Sequence, residues 1–314
     1  MDEFQLIRRY FGGLTPLPAE VRLGIGDDAA LLGLPAGEEL AVTTDTLIAG
    51  RHFPEATAAS DIGWKALAVN LSDLAAMGAK PYAFTLALSL PQPDAGWLRD
   101  FSAGLGELAG QTGIALVGGD TTRGPLSLTI TALGRLPAGS ALRRDGARAG
   151  DLICVTGSLG DAALALRQLN SGVACDPELR RRLDRPMPRV DAGLALRGIA
   201  TAALDLSDGL AGDLPHLLTA SGVGADIGTD HLPASRVFDR SAPPALRLAL
   251  QLSGGDDYEL CVCLPEGRYA QAKAALGNLP LTPIGRISEQ PGLRWRDAAG
   301  DIMALDASGY RHFP

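Results

Sequence analysis

The 314-residue chain is too long for one ordinary core and predicts two domains; with 46% hydrophobic and 20% charged residues, both can bury an interior. A net charge of −8, only three lysines (Lys65, Lys80, Lys273) among 28 basic residues, and no basic-aromatic patch argue against nucleic acid or an anionic membrane surface as partner. No apolar run reaches membrane-spanning length, "MDEFQLIRRYF" lacks signal-peptide architecture, and Cys154, Cys175, Cys261 and Cys263 show no zinc spacing, which fits a reducing cytoplasm.

In chain order, residues 1–11 read as a short helix. "LGIGDDAAL" (23–31) then sets Asp27 and Asp28 side by side between glycines and apolar residues. Gly24, Gly26 and Ala29 satisfy the G-x-G-x-x-A of a dinucleotide loop, but Gly33, Pro35 and Gly37 break the helix such a loop must open. "EELAVTTDTLIAG" alternates as a strand, and "ASDIGWKALAVNLSDLAAMGAKP" predicts a long helix opening at a Ser60 N-cap and stopping at Gly78 and Pro81. Strand "YAFTLALSL", helix "DAGWLRDFSAGLGELAGQTG", strand "IALVGGD" and strand "PLSLTITALGRL" complete a first domain over residues 1–137. "PAGSALRRDGARAGD", aperiodic and carrying Arg143, Arg144 and Arg148, reads as the linker.

A second α/β domain is expected over residues 150–314. Strand "DLICVTG" leads to helix "DAALALRQL", capped by Asp161, and to helix "RVDAGLALRGIA". "ALDLSDGLAGDLPHLLTASG" is a strand end running into a helix that Asp208 could cap. Strand "YELCVCL", with Cys261 and Cys263 as buried thiols, a helix through 266–277 and strand "PIGRI" follow. "SGGDDYEL" (253–260) repeats the design of "GIGDDAAL": glycine, paired acids, then apolar residues.

Acids recur at the ends of apolar segments: Asp45, Asp120, Asp205 and Asp208. Ligands gather outside the carboxyl ends of strands in open α/β sheets, although any one acid there also serves as a turn residue or cap. Asp73 is the sharpest single signal. It shares a helical stripe with Ile62, Ala66, Val69 and Met77, and the opposite stripe (Trp64, Leu67, Leu71, Leu74) is apolar too. A carboxylate on a helix buried on both sides needs a proton, a hydrogen-bonding partner or a cation. Hard oxygen donors without histidine or cysteine pairs favour Mg²⁺, and with it phosphoryl chemistry. The phosphate-loop and protein-kinase motifs are missing, so phosphates would be held by metals, glycine amides and arginines; the turn "GGDTTRG" offers Gly118, Gly119, Asp120 and Arg123 together. Of the histidines, His52 lies near Asp45 in sequence, while His216, His231 and His312 read as structural or solvated.

"GIGDDAAL", "TTDTLIAGRHF", "KALAVNLSDLAAMGA", "GGDTTRGPLS", "DLSDGL", "SGGDDYEL" and "GYRHF" resemble the thiamine-monophosphate kinase family, part of the aminoimidazole-ribonucleotide-synthetase-like ATP-binding superfamily. The resemblance runs from the first helix to the last residues. It implies an amino-terminal sheet-and-helix domain that dimerises, a carboxy-terminal α/β domain, and Mg²⁺-dependent transfer of the γ-phosphoryl of ATP to thiamine monophosphate. By the same resemblance, Asp28, Thr43, Thr44, Asp45, Asp73, Asp120, Asp205 and Asp208 are the expected Mg²⁺ ligands. Gly119, Asp120, Arg144 and Ser207 are the expected ATP contacts, and His52, Asp256 and Tyr310 those to thiamine phosphate. No general base is expected. Where the family commonly has Glu, this chain has Asp256. Alternatives are another ATP-dependent synthetase of the superfamily, a non-catalytic nucleotide- or metal-binding regulator, and a metal-dependent phosphohydrolase.

Overall fold

The structure is a computed structural model that describes residues 3–305 and 307–310; Arg311, His312 and Phe313 of the "GYRHF" block lie outside the described residues. The chain divides into two compact units, one reaching Leu74 and resuming over Ala79–Gly139, the other formed by Ala75–Gly78 and the chain from Ser140 onward.

In the first unit, α1 (Glu3–Tyr10) precedes a hairpin of β1 (Val21–Leu23) and β2 (Leu31–Leu32). Then come β3 (Glu38–Ile48), α2 (Ala59–Ala76), β4 (Lys80–Leu90), α3 (Ala95–Thr112), β5 (Ala115–Arg123) and β6 (Ser127–Pro137). The last four strands form one sheet in the order β3-β6-β4-β5, antiparallel except for β4 and β5, which α3 connects in parallel. Helix α2 is buried all round, as its two apolar stripes require: Ile62, Leu67, Leu71 and Leu74 are almost wholly enclosed. Glycines let α3 lie close against it. A Cβ on Gly63 would stand 2.2 Å from the Phe101 carbonyl oxygen, and one on Gly104 only 1.8 Å from that of Ser60. This contact fixes the helix that carries Asp73.

Local expectations are corrected here. Ser60 is the second residue of α2, so it cannot be the N-cap. Pro81 lies inside β4, at a register shift against β6 where its missing N–H is tolerated. "GGDTTR" is a continuation of β5, paired with β4 through Arg123, and not a turn. The glycine-acid stretch after β1 opens no helix, as the breakers Gly33, Pro35 and Gly37 foretell.

The second unit holds β7 (Leu152–Thr156), α4 (Asp161–Asn170), α5 (Pro177–Asp184), α6 (Val190–Leu196), β8 (Ala202–Leu206), α7 (Leu210–Ser221) and β9 (Gly224–Gly228). It continues with α8 (Arg236–Ser241), α9 (Arg247–Ser253), β10 (Glu259–Leu264), α10 (Tyr269–Ala275), β11 (Leu281–Ser288), β12 (Gly292–Arg296) and β13 (Ile302–Met303). Its seven-stranded sheet runs β13-β12-β9-β11-β7-β10-β8, with β12 and β9 parallel and the other pairs antiparallel. Strands β7, β8 and β10 are buried at every position, which is why they are mostly apolar, Asp205 in β8 and Glu259 in β10 being the enclosed acids. Cys154, Cys261 and Cys263 are free, enclosed thiols, and burial pushes Cys154 up to about 12. Asp161 is the first residue of α4 and no cap: its carboxylate accepts from Ser158 and Ser235 instead. Helix α5 escaped the sequence reading because "PELRRRLD" is mostly polar; Asp176 caps it through the Glu178 N–H.

Candidate active site

In the first unit the pleat of β3 sorts the predicted residues. Thr43 and Asp45, two apart, share a face, and Thr44 is sent to the other, where its hydroxyl meets that of Thr131 at 2.9 Å. Helix α2 brings Asp73 to the first face: Thr43 Oγ1 donates to Asp73 Oδ2. Asp45 faces Asp73 side chain to side chain. Asp45 is accordingly raised from 3.8 to about 6, first by burial, then by the Asp73 charge and a hydrogen bond to Asp73. Two carboxylates and a hydroxyl held together by the fold are hard oxygen donors in want of a cation, and this donor set fits Mg²⁺.

The other first-unit candidates stand apart from this pair. Asp28 is exposed in the β1–β2 connection, where its N–H donates to Asp27 Oδ1 at 2.8 Å, so Asp27 shapes the turn. Asp120 is exposed on edge strand β5, opposite Ala87, and Arg123 is exposed three residues on. Gly119 precedes it at φ +151°, and a Cβ there would stand 1.9 Å from the Leu86 carbonyl oxygen. His52 follows β3; its Nδ1 accepts the Ile48 N–H at 3.0 Å, leaving the proton of the neutral ring on Nε2. Among the described residues no three His, Cys, Asp or Glu side chains are gathered to hold a metal ion.

In the second unit, four candidates meet beyond the carboxyl end of β8. Asp205 lies enclosed within the strand, opposite Leu260, and the chain then turns through Ser207 and Asp208 into α7. Asp208 does not cap that helix. The turn is held from inside α7 by Asp213, whose Oδ2 accepts the N–H groups of Ser207 (2.9 Å) and Asp208 (3.0 Å). Burial raises Asp213 to about 6 despite those two bonds and the nearby charge of Arg144. Across this turn, the Asp256 N–H donates to the Ser207 carbonyl at 2.9 Å and the Tyr258 N–H to that of Leu206 at 2.8 Å. The Tyr310 N–H reaches the Asp208 carbonyl at 3.1 Å. Ser207, Asp208, Asp256 and Tyr310 are thus tied together by backbone bonds, with Arg144 acting on the same turn through its charge.

Sequence reasoning missed Asp213 and Tyr258. Asp213 carried a faint signal, an acid in the first turn of a helix six residues beyond a strand-end serine. Neighbouring Glu259 is fully enclosed and bound by Arg189, Arg182 and Thr156, an arrangement that builds the core and leaves it no reactive role.

Comparison with known proteins places the chain among its relatives. A thiamine-monophosphate kinase of Salmonella typhimurium is 48% identical over 320 residues, covering 99% of this chain and 98% of its own. The chain belongs to the thiamine-monophosphate kinase family. Its two halves also match the AIR synthase related protein families, the N-terminal domain at residues 26–136 and the C-terminal domain at 148–297. The crystal structure of thiamine-monophosphate kinase from Stenotrophomonas maltophilia K279a superposes with a TM-score of 0.85 at 49% identity, covering 91% of this chain and 93% of that one. AaThiL complexed with AMPPCP and TMP matches at TM-score 0.80 and 29% identity over 89% of each chain. Membership in the family accounts for the two-domain α/β architecture. Among the described residues, no helix is long and apolar enough to cross a membrane.

Proposed function

We propose that the chain transfers the γ-phosphoryl group of ATP to the phosphate of thiamine monophosphate, giving thiamine diphosphate and ADP. Full-length kinship to thiamine-monophosphate kinases and the AaThiL complex with AMPPCP and TMP support the substrates. The observation that carries the chemistry is the half-buried Asp45–Asp73 pair, two facing carboxyls that a cation or a proton satisfies. An oxygen of the acceptor phosphate forms the new bond to Pγ, while the bond from Pγ to the oxygen bridging it to Pβ breaks and ADP leaves. That acceptor is largely ionised at neutral pH, its second pKa lying near ~6, so no general base is required. The obstacle is the mutual repulsion of two polyanions.

Mg²⁺ bound at these acids supplies the neutralisation of phosphate charge that lowers this obstacle. The residues proposed to hold Mg²⁺ ions are Asp28, Thr43, Thr44, Asp45, Asp73 and Asp120 in the first unit and, separately, Asp205 and Asp208 in the second. Gly119, Asp120, Arg144 and Ser207 are proposed to contact ATP. His52, donating from Nε2, and Asp256 and Tyr310 are proposed to contact thiamine phosphate. The domain partition 1–137 and 150–314, a homodimer and a cytoplasmic setting belong to the same reading. Exposed Leu40, Val42 and Ile48 on edge strand β3 support a self-association surface. Phosphorus NMR of the protein with ATP, Mg²⁺ and thiamine monophosphate tests the reaction. Thiamine diphosphate is expected one-for-one with ADP; free phosphate, or no turnover, would overturn it.

A further inference from the structure

The stretch from Gly254 to Tyr258 is the most strained backbone among the described residues. Asp256 (φ +67°) and Tyr258 (φ +49°) are the two non-glycine residues there with positive φ. Asp visits this region at small cost, but a bulky aromatic does so only when its surroundings over-determine it. The surroundings do. Both N–H groups are tied to the β8 end, at Ser207 and Leu206, and Asp257 between them accepts the Gly160 N–H through Oδ1 at 2.9 Å.

This backbone brings two side chains together: the Tyr258 hydroxyl donates to Asp256 Oδ1 at 3.0 Å. The Tyr258 residue is 7% exposed, so its hydroxyl is held by packing, whereas Asp256 is only half-buried. For core packing alone, phenylalanine would serve at this position. The hydroxyl acts on the carboxylate.

We propose that Tyr258 is a positioning residue for the acceptor substrate. Its hydroxyl clamps one oxygen of Asp256, fixing the carboxylate torsion and turning the other oxygen toward the cationic, heteroaromatic part of thiamine phosphate. This inference rests on the reading of Asp256 as a substrate contact.

The test is a double-mutant cycle with Tyr258→Phe and Asp256→Gly, the glycine removing the carboxylate while accepting positive φ without strain. KM for thiamine monophosphate, KM for ATP, kcat and the thermal midpoint are measured for each. Tyr258→Phe is expected to raise KM for thiamine monophosphate about five- to tenfold, leaving KM for ATP and the thermal midpoint as in the wild type. In the Asp256→Gly background it should have no further effect. A wild-type KM in Tyr258→Phe alongside a raised one in Asp256→Gly would overturn the clamp and leave the substrate reading standing. Effects that multiply independently would also overturn it, since Tyr258 would then act by another route. An unchanged KM in Asp256→Gly would remove Asp256 itself from the substrate site.

Discussion

Exchanging Asp73 for asparagine keeps the oxygen to which Thr43 donates and deletes one of two facing charges. In the wild type, Asp45 titrates at about 6 instead of 3.8, with burial the first cause and Asp73 the second. A shift of about two units, at ~1.36 kcal/mol each, makes the cation-free fold lose about 3 kcal/mol to this one carboxyl at neutral pH. The sign follows from the raised pKa. The folded state holds the proton more tightly, so its contribution to stability is fully present below pH ~4 and is lost as pH rises through about 6. Asparagine removes the Asp73 share and leaves the burial share. The variant should therefore be about 1 kcal/mol more stable than wild type at pH 7 without metal, and nearly equal to it at pH 4.5, while phosphoryl transfer collapses. Urea denaturation of metal-stripped protein at both pH values, beside an ADP-release assay, reads both effects. Added Mg²⁺ should raise wild-type stability more than that of the variant, since a ligand stabilises only the state that binds it. A variant less stable than wild type at pH 7 without Mg²⁺, or one with wild-type turnover, would refute the idea that these acids are held together for a cation.

Gly119→Ala should cost about 2–4 kcal/mol and raise KM for ATP, because its Cβ would overlap the Leu86 carbonyl and part β5 from β4; a denaturation midpoint within error of wild type would contradict this. Arg189→Leu should cost about 1–3 kcal/mol, measurable by urea melts, because it removes the bidentate partner of the enclosed Glu259 carboxylate and leaves it only Arg182 and Thr156. Native thiol labelling at pH 8 should modify Cys175 alone, as Cys154, Cys261 and Cys263 are enclosed; Cys175→Ser should then abolish labelling.

What the sequence made legible follows from how locally each feature is determined. The buried strands announced themselves as apolar runs, and α2 through two apolar stripes interrupted by one acid, so Asp73 could be singled out before its partners were known. Capping was read less well. Ser60, Asp161 and Asp208 all have cap chemistry, but each boundary is set by which N–H groups lack other partners. At Ser207 and Asp208 that vacancy is filled from within α7 by Asp213. The polar α5 offered no apolar stripe strong enough to read; the short β12 is held by pairing with distant β9, and the two-residue β13 only by pairing with β12.

The two glycine-and-paired-acid blocks show where sequence likeness stops carrying structural meaning. In "GIGDDAAL" the first acid closes a local turn on the N–H of the second, a contact one residue long that any exposed connection could make. In "SGGDDYEL" both acids are bound by groups far off in the chain: Asp256 by the β8 end through its N–H, Asp257 by Gly160 through its carboxylate. The fold therefore feels a change in the first block only at its own turn, whatever that change does to the metal binding proposed at Asp28. A backbone shift in the second is transmitted to Ser207 and Leu206, because their carbonyls are the other halves of its hydrogen bonds. A positive φ at two non-glycine residues is the mark of that dependence. No local preference favours it, so it persists only while the β8 end holds it, and loosening the β8 turn should disorder Asp256 before it disorders the sheet.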